Sequence, residues 1–539
     1  MIKSVISDYL KQNNIGTKLE HPSVEKFGDF AVRGDVNFSD LEIIEKIDKV
    51  AGFSNLWIKE NILIDEAKNI LNDEFKKELG DVNKDKKILI EFSDQNTHKE
   101  LHVGHLKTMV IGESVARFFE ILGAKVFRAN YQGDIGPHVA KAIWGVQKLL
   151  NLQNETIDEF NLKSNEVKAH FLGKAYALGC TDYEDNNKSE IDEINQKLYQ
   201  KDDKTMVVYK ITRQWSLDYY NDFYKRFYTK FDKLFFESEI AEEGKKIVEN
   251  NVGKIFEKGE GGSIIFDGEK YGLHKRVFIT GVGTVTYEGK EMGLAQAQRQ
   301  AFEFDKAIHV VGNEQAGYFT VVIKAIELID SWFTNKEFHL SMGMVNLVGK
   351  KMSSRTGDIV TVDSILDETK SEVKLLLKSD DSNQDIVAEV ITIGAIKFSL
   401  LKSDPKQNSI FDIKKSIDLD GSSGPYLQYT YARCKSVINK SSVNSYELRV
   451  NEKFDENELP LLRYFYQFSE KIVEAGERYS PAVLAEYLLN LARKYNEFYA
   501  KCRIVGEPEE GRRVFLTQVT AKIIKEGLTL LGIETVEKM

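Results

Sequence analysis

Lys99-Glu100-Leu101-His102-Val103-Gly104-His105 decides how the rest of the chain is read. The run before it, Lys87-Ile88-Leu89-Ile90-Glu91-Phe92, is strand-like, and a polar loop from Ser93 to Leu101 follows. Beyond the histidines, apolar residues at Leu106, Met109, Val110, Val115, Phe118, Phe119 and Leu122 recur at helical spacing, with Gly123 placed to end the helix. Lys125-Val126-Phe127-Arg128-Ala129-Asn130 then reads as a second strand. His102 and His105 thus sit at a helix mouth within one strand–helix–strand unit. Unpaired N–H groups and a partial positive charge make such a mouth a natural phosphate site. Both imidazoles can donate hydrogen bonds to phosphate oxygens, and Gly104 leaves room for a flat ring to approach the backbone. An incidental pair is the plain alternative. Two zinc ligands three residues apart are another, although no nearby His or Cys cluster supplies the remainder.

A second segment, Gly349-Lys350-Lys351-Met352-Ser353-Ser354-Arg355-Thr356-Gly357, is cationic, hydroxyl-rich and glycine-flanked, suited to closing over a polyphosphate. Strand-like His339-Leu340-Ser341-Met342-Gly343-Met344-Val345 leads into it. In this order and on either side of an α/β domain, the two segments resemble the His-x-Gly-His and Lys-Met-Ser-Lys-Ser motifs of class I aminoacyl-tRNA synthetases. The resemblance implies ATP contacts at His102, Gly104, His105, Met344, Val345, Lys351, Met352, Ser353, Ser354 and Arg355. Ser354 stands where the motif has its second lysine. Arginyl-tRNA synthetases share this substitution, and a lysine just upstream of the first histidine is thought to compensate; here that is Lys99.

At 539 residues the chain is too long for one core, and three to five domains are expected. Hydrophobic residues at 42% and charged residues at 29% fit a globular protein and exclude a disordered one. No apolar run reaches the roughly 18 residues needed to span a bilayer, and the N-terminus lacks a secretory pattern. Cys180, Cys434 and Cys502 have no CxxC spacing, which argues against a disulfide framework or structural zinc and for a cytoplasmic location. A net charge of −10 restricts any nucleic-acid contact to local basic patches.

Residues 1–85 read as a small α/β module, with a helix near 2–13, a charged helix over 40–50 and a strand through Ala51-Gly52-Phe53-Ser54-Asn55-Leu56-Trp57-Ile58-Lys59. Phe53 and Asn55 share one strand face, an aromatic to stack on a base and an amide to read its edge, or else a core residue and a strand-end turn. The segment resembles the Gly-Phe-x-Asn-Phe strand of arginyl-tRNA synthetases, which reads the tRNA D-loop. Gly28-Asp29-Phe30-Ala31 is similar to another segment of that domain.

Residues 86–145 open the catalytic fold. Glu91, at the C-terminal end of a strand, suits a cationic substrate, and Asn96 its polar tail. Gly133-Asp134-Ile135-Gly136 resembles the family's Gly-Asp-x-Gly turn. Residues 146–255 read as a helical insertion, in which no chemistry is assigned to Ser216-Leu217-Asp218-Tyr219-Tyr220. Residues 256–370 return to the catalytic fold. Tyr287 and Glu291 stand four apart and share a helix face. They are similar to the family's Tyr-x-x-x-Asp pair, with Glu in place of Asp. Gly312-Asn313-Glu314-Gln315 resembles its Gly-x-Glu-Gln segment, so the resemblance implies arginine contacts at Glu91, Asn96, Tyr287, Glu291 and Gln315.

Residues 371–425 form a helical link and 426–539 an all-helical domain. The string from Gly421 through Gly424-Pro425-Tyr426-Leu427-Gln428-Tyr429 to Ala432-Arg433 matches an arginyl-tRNA synthetase segment nearly residue for residue. Ser480-Pro481 starts a helix whose stripe includes Tyr495 and Tyr499; most of it reads as core, with both tyrosines able to stack on anticodon bases. The ending Leu530-Leu531-Gly532-Ile533 to Met539 is similar to the family's C-terminus, which lies near the anticodon.

The expected architecture is therefore α/β: a Rossmann-like parallel-sheet catalytic domain with a helical insertion, a small α/β N-terminal domain and an all-α C-terminal domain for the anticodon. The expected function is ATP-dependent activation of L-arginine and its transfer to tRNA(Arg). ATP and Mg²⁺ are expected, with His102, His105, Lys99 and Lys351 as catalytic groups. tRNA contacts are expected at Phe53, Asn55, Tyr426, Arg433, Tyr495 and Met539, on a monomer without a membrane segment. A synthetase for another amino acid, or a non-catalytic tRNA-binding relative, are the competing readings.

Overall fold

The computed structural model describes residues 1–185, 187–348, 360–377, 384–442 and 453–539. Its centre is a five-stranded, wholly parallel sheet. The strands lie in the order Glu337–Met342, Lys306–Gly312, Lys87–Glu91, Lys125–Gln132, Lys233–Phe236. Both faces are covered, as parallel sheets require. Ile88 and Ile90 enter the core shared with the helix Val103–Ile121. Leu89, pointing the other way, enters the core shared with the helices Tyr287–Ala301 and Ala316–Ile329. The chain starts at the middle strand, builds outward on one side, then returns to lay Lys306–Gly312 on the other. That reversal places a crevice between the C-terminal ends of Lys87–Glu91 and Lys306–Gly312, where open α/β sheets take their ligands.

The strand Lys233–Phe236 corrects the expected insertion boundary, since it is the sheet's edge strand although it falls within 146–255. Four residues are too short for periodicity to register. The helices Asn165–Asp185, Lys188–Tyr199 and Asp203–Arg226 form most of the insertion. Beyond it, Glu257–Lys258, Ile264–Phe266 and Arg276–Ile279 make a separate antiparallel sheet.

A second correction falls in the N-terminal module, a four-stranded antiparallel sheet. The expected charged helix over 40–50 is instead the strand Ile44–Val50. It pairs with Phe53–Ile58 across Ala51 and Gly52, both at positive φ (53° and 81°). Two such residues make the tight turn whose twist suits a hairpin. Tertiary pairing overrode a charge pattern that also fits a helix.

The C-terminal part is all helical, with Gly424–Lys440, Pro481–Lys501 and Glu510–Leu530 its longest helices. One continuous core joins it to the N-terminal module and to the helix Val103–Ile121. From the far end of that helix, Ser114 donates to the Leu530 carbonyl and Arg117 to the carbonyls of Thr529 and Tyr228.

Candidate active site

His102 caps the helix Val103–Ile121 with its ring. Its Nδ1 accepts from the amides of Gly104 (3.1 Å) and His105 (3.4 Å), while His105 Nδ1 accepts from the His102 amide (3.4 Å). The rings stack with centroids 3.7 Å apart. Two of the helix-mouth amides expected to face a phosphate are therefore taken by protein. What remains for an anion is the far edge of each ring. With both Nδ1 atoms accepting, a neutral imidazole carries its proton on Nε2 and donates from there. Burial, and then the nearby Lys99 charge, lower the His102 pKa to about 4. Burial and His102 hold His105 well below its ordinary value. Both rings are neutral donors at pH 7.

Gly104 has a more local reason than the approach of a ligand ring. A Cβ there would lie 2.9 Å from His102 Cε1 and 3.0 Å from Nδ1. The ring that needs the space is that of His102.

Lys351, Met352, Ser353, Ser354 and Arg355 lie outside the described residues. The flanks of that stretch are described. Thr361 forms an antiparallel bridge with His102, and the Val362 amide donates to the Leu101 carbonyl (3.0 Å). On the other flank Val345–Leu347 pairs with Ser409–Phe411. Lys107, from the histidine helix, donates to the carbonyls of Gly343 (2.7 Å) and Gln407 (3.0 Å). Met344 is exposed, whereas the Val345 side chain is buried, which leaves its backbone for a contact with ATP.

The loop between strand and histidines is held in unusual backbone. Ser93, Asp94 and His98 have φ of 83°, 44° and 63°. Such conformations cost of order 1–3 kcal/mol each and persist only where surroundings impose them. The helix Asp203–Arg226 does so. The Tyr220 hydroxyl lies 2.8 Å from the carbonyls of both Asn96 and Lys99, donating between them. Ser216 accepts from the His98 amide, and Thr212 meets the His98 ring. The segment to which no chemistry was assigned thus shapes the site. Asp134, fully buried, accepts from Tyr209 and from Ser238 and pairs with Arg213. Lys99 Nζ lies 4.7 Å from the centre of the Tyr176 ring, on the insertion helix Asn165–Asp185.

At the C-terminal end of the strand Lys87–Glu91 is a buried acidic cluster that also includes Glu291. Glu91 is buried and accepts from Gln298 and from His309 Nδ1 (2.9 Å); His309 Nε2 meets Glu337 (2.6 Å). Glu291 is buried and accepts from the Tyr318 hydroxyl (3.0 Å). Its pKa is pushed up to about 8 by burial and then by the Glu91 charge. Asp94, held by the Tyr131 amide, is raised for the same two reasons. Crowded, desolvated carboxylates are a site for a cation. Of the five expected arginine contacts, Glu91 and Glu291 lie in the pocket. The Asn96 side-chain oxygen would lie 2.0 Å from a Cβ at Gly133, so it fills the space over that glycine. Tyr287 and Gln315 are exposed, at the starts of the helices that follow Arg276–Ile279 and Lys306–Gly312. Asp94, His309, Gln298 and Tyr318 were not anticipated; Asp94 lay in plain view two residues beyond a strand end.

The outer contacts divide. Phe53 is exposed beside its turn, but Asn55 is buried, which corrects its expected reading of a base edge. Tyr495 is fully buried, and Tyr426 is buried with its hydroxyl accepting from Asn496 (2.9 Å); both are core, contrary to expectation. The Arg433 guanidinium lies 4.8 Å from the Tyr429 ring centre and 5.0 Å from that of Tyr499, which is exposed. Met539 is half-buried against the cluster of Val373, Ala388 and Val536.

Residues 66–413 match the family of class I (R) tRNA synthetase catalytic domains, and residues 427–539 the DALR anticodon binding domain. The arginine–tRNA ligase of Flavobacterium psychrophilum is 30% identical over 533 residues, covering 94% of this chain and 88% of its own. That of Borrelia hermsii is 29% identical over 574 residues, covering 99% and 96%. The arginyl-tRNA synthetase of Thermus thermophilus has the same fold, with a TM-score of 0.81 at 22% identity over 100% of this chain and 99% of that one. Paired histidines at a helix mouth, an acidic pocket at the sheet's reversal, a catalytic domain matched over most of the chain and a DALR domain behind it have one common source: this chain belongs to the arginyl-tRNA synthetase family of class I aminoacyl-tRNA synthetases.

Proposed function

We propose that the family's reaction, activation of L-arginine by ATP and transfer to the 3′ end of tRNA(Arg), runs in this chain across two adjoining sites. The observation that carries this reading is their adjacency on one strand–loop–helix unit: Glu91 ends the strand, and His102 and His105 open the helix. The arginine carboxylate attacks the α-phosphorus of ATP, a P–O bond forms, and the bond to the β-phosphate breaks, releasing pyrophosphate. The nucleophile is already ionised, so the protein positions and stabilises charge. His102 and His105 donate from Nε2 to phosphate oxygens. Lys99 leaves its aromatic seat on Tyr176 to add a cation, in the role of the lysine missing at Ser354. Lys351, Met352, Ser353, Ser354 and Arg355 close over the nucleotide, a role supported by the bridge that ties Thr361 to His102, and Met344 lies on the approach to them. A tRNA ribose hydroxyl then attacks the arginyl carbonyl carbon, and AMP leaves.

Glu91 and Glu291 receive the guanidinium, with Asn96, Tyr287 and Gln315 at its approaches. Planar donors matched to two carboxylates favour arginine over lysine. Mg²⁺ belongs with the nucleotide substrate, whose phosphates bind it. Among the described residues no group of three His, Cys, Asp or Glu is placed to hold a metal. Phe53, Tyr499 and the Arg433–Tyr429 pair face tRNA, with Met539 near the anticodon. We place the enzyme in the cytoplasm, a reading supported by three cysteines without CxxC spacing, and as a monomer. Among the described residues no helix is long and apolar enough to cross a membrane. Pyrophosphate exchange with tRNA(Arg) present tests the substrate. Arginine should support it, lysine and the uncharged isostere citrulline should not, and exchange with citrulline equal to that with arginine would remove the acidic pocket from recognition.

A further inference from the structure

His309 stands between two buried carboxylates. It lies on Lys306–Gly312 directly opposite Glu91 in register, and Glu337 begins the next strand, opposite Ala307. Two residues apart, those positions share a sheet face. The ring is held at both nitrogens, 2.9 Å from Glu91 and 2.6 Å from Glu337, and all three side chains are almost fully buried. A neutral imidazole has one N–H and can donate to only one neighbour. With both carboxylates ionised, both contacts are hydrogen bonds only when the ring carries two protons. An imidazolium between two carboxylates is therefore the species this geometry describes. Glu91 is gripped a second time by the Gln298 amide, itself fully buried, on its other oxygen. With each oxygen engaged, the carboxylate plane cannot turn.

We propose that His309, backed by Glu337, is a positioning residue for substrate recognition: it fixes the Glu91 carboxylate in the orientation that receives a guanidinium. This inference rests on the assignment of Glu91 to the arginine pocket. His309 does not touch the phosphate side, where His102 and His105 act. Its removal should therefore weaken arginine binding and leave ATP use and the chemical step nearly unchanged. A guanidinium discriminates by planar, two-point contact, so a carboxylate free to rotate loses the fit while keeping the charge.

The test uses the full chain. His309→Leu with Glu337→Leu exchanges one buried ion pair for apolar side chains, often a neutral change, but it also takes the imidazolium from Glu91, which keeps only the Gln298 amide. Arginine KM in aminoacylation should rise at least tenfold, with ATP KM and kcat near wild type and a lowered thermal midpoint. An unchanged arginine KM in the folded double variant would overturn the proposal. Should the double variant fold poorly, Glu337→Gln serves. Its amide can donate to His309 Nε2, leaving a neutral ring and a weaker grip on Glu91. Arginine KM should then rise about threefold, since a bond between two ions gives way to one from a neutral donor, and no change would count against the imidazolium. Glu91→Gln distinguishes the underlying reading. If it leaves arginine KM unchanged, the pocket assignment itself fails and this inference with it.

Discussion

His102 and His105 cap each other: the Nδ1 of each accepts the backbone N–H of the other, both at 3.4 Å, and the rings stack at 3.7 Å. The pair is thus one rigid unit with two Nε2–H groups left to donate. This separates structural from chemical roles by atom. His105→Asn keeps an acceptor near the Nδ1 position and loses the outer donor; His105→Gln can supply a donor near Nε2. Single-turnover adenylate formation should fall by about 10²–10³-fold in the Asn variant, the range for loss of one transition-state donor, and by clearly less in the Gln variant. Equal rates in the two would mean that the cap, worth only about 1 kcal/mol, is all that His105 contributes.

Because both rings are held neutral, their titration should not shape the rate near neutrality. The His102 pKa near 4 is set by burial and by Lys99. The acidic limb of kcat/KM for ATP should therefore lie well below pH 6. A limb at 6.5, lost in His102→Gln, would show that the rings carry charge.

Gly104→Ala sets helix propensity against geometry. Alanine improves a helix by about 1 kcal/mol over glycine, yet the new Cβ would press on the His102 ring at 2.9 Å. The ring, tied by two hydrogen bonds, must move. The thermal midpoint should stay within a few degrees of wild type while kcat/KM for ATP drops at least tenfold. An active Gly104→Ala variant would mean that the ring's seat is not needed.

The Glu291 carboxyl, at about 8 rather than 4.5 because of burial and Glu91, is largely protonated at pH 7 in the free enzyme. His309 and Tyr318 oppose that shift and Glu237 adds to it. A bound guanidinium favours the ionised form, so arginine binding at pH 7 should release a proton. Calorimetry in two buffers of different ionisation enthalpy should count close to one, falling towards zero above pH 8. The stability sign follows from the same shift. A carboxyl raised on folding stabilises most below its unfolded value and loses that contribution as pH rises towards 8. The free enzyme should lose thermal stability over that interval, and saturating arginine should restore it. No proton release would mean that the guanidinium does not reach Glu291.

Among the outer aromatics, exposure separates two outcomes. Phe53→Ala, at an exposed position, should raise the apparent Kd for tRNA by about five- to a hundredfold, the equivalent of one lost stacking contact of about 1–3 kcal/mol, with stability unchanged. Tyr495→Ala, fully buried, should cost about 3–5 kcal/mol of stability through its cavity. Weaker tRNA binding by a Tyr495 variant of normal stability would return Tyr495 to the tRNA-contacting surface.

The catalytic unit was readable because each signal there is local. Three consecutive apolar residues make a buried parallel strand, and a polar loop before a helical stripe fixes the mouth where His102 and His105 stand. What escaped is non-local. His309 meets Glu91 only because two strands more than two hundred residues apart lie side by side. Tyr220 supports Lys99 across 121 positions. Ile44–Val50 was misread because charges spaced for a helix also fit a hairpin strand, and Ala51-Gly52 carries the turn signal weakly. Tyr495 and Tyr499 belong to the same stripe, four apart, and only packing separates the buried ring from the exposed one.

The most direct test of the account is transfer of labelled arginine to tRNA(Arg), with arginine-dependent pyrophosphate exchange followed on wild type and on His105→Asn. The wild type should transfer arginine, and both reactions should fall by about 10²-fold or more in a variant that still folds and binds tRNA. Wild-type tRNA binding without transfer of arginine or any other amino acid, or full exchange in the variant, would contradict the account.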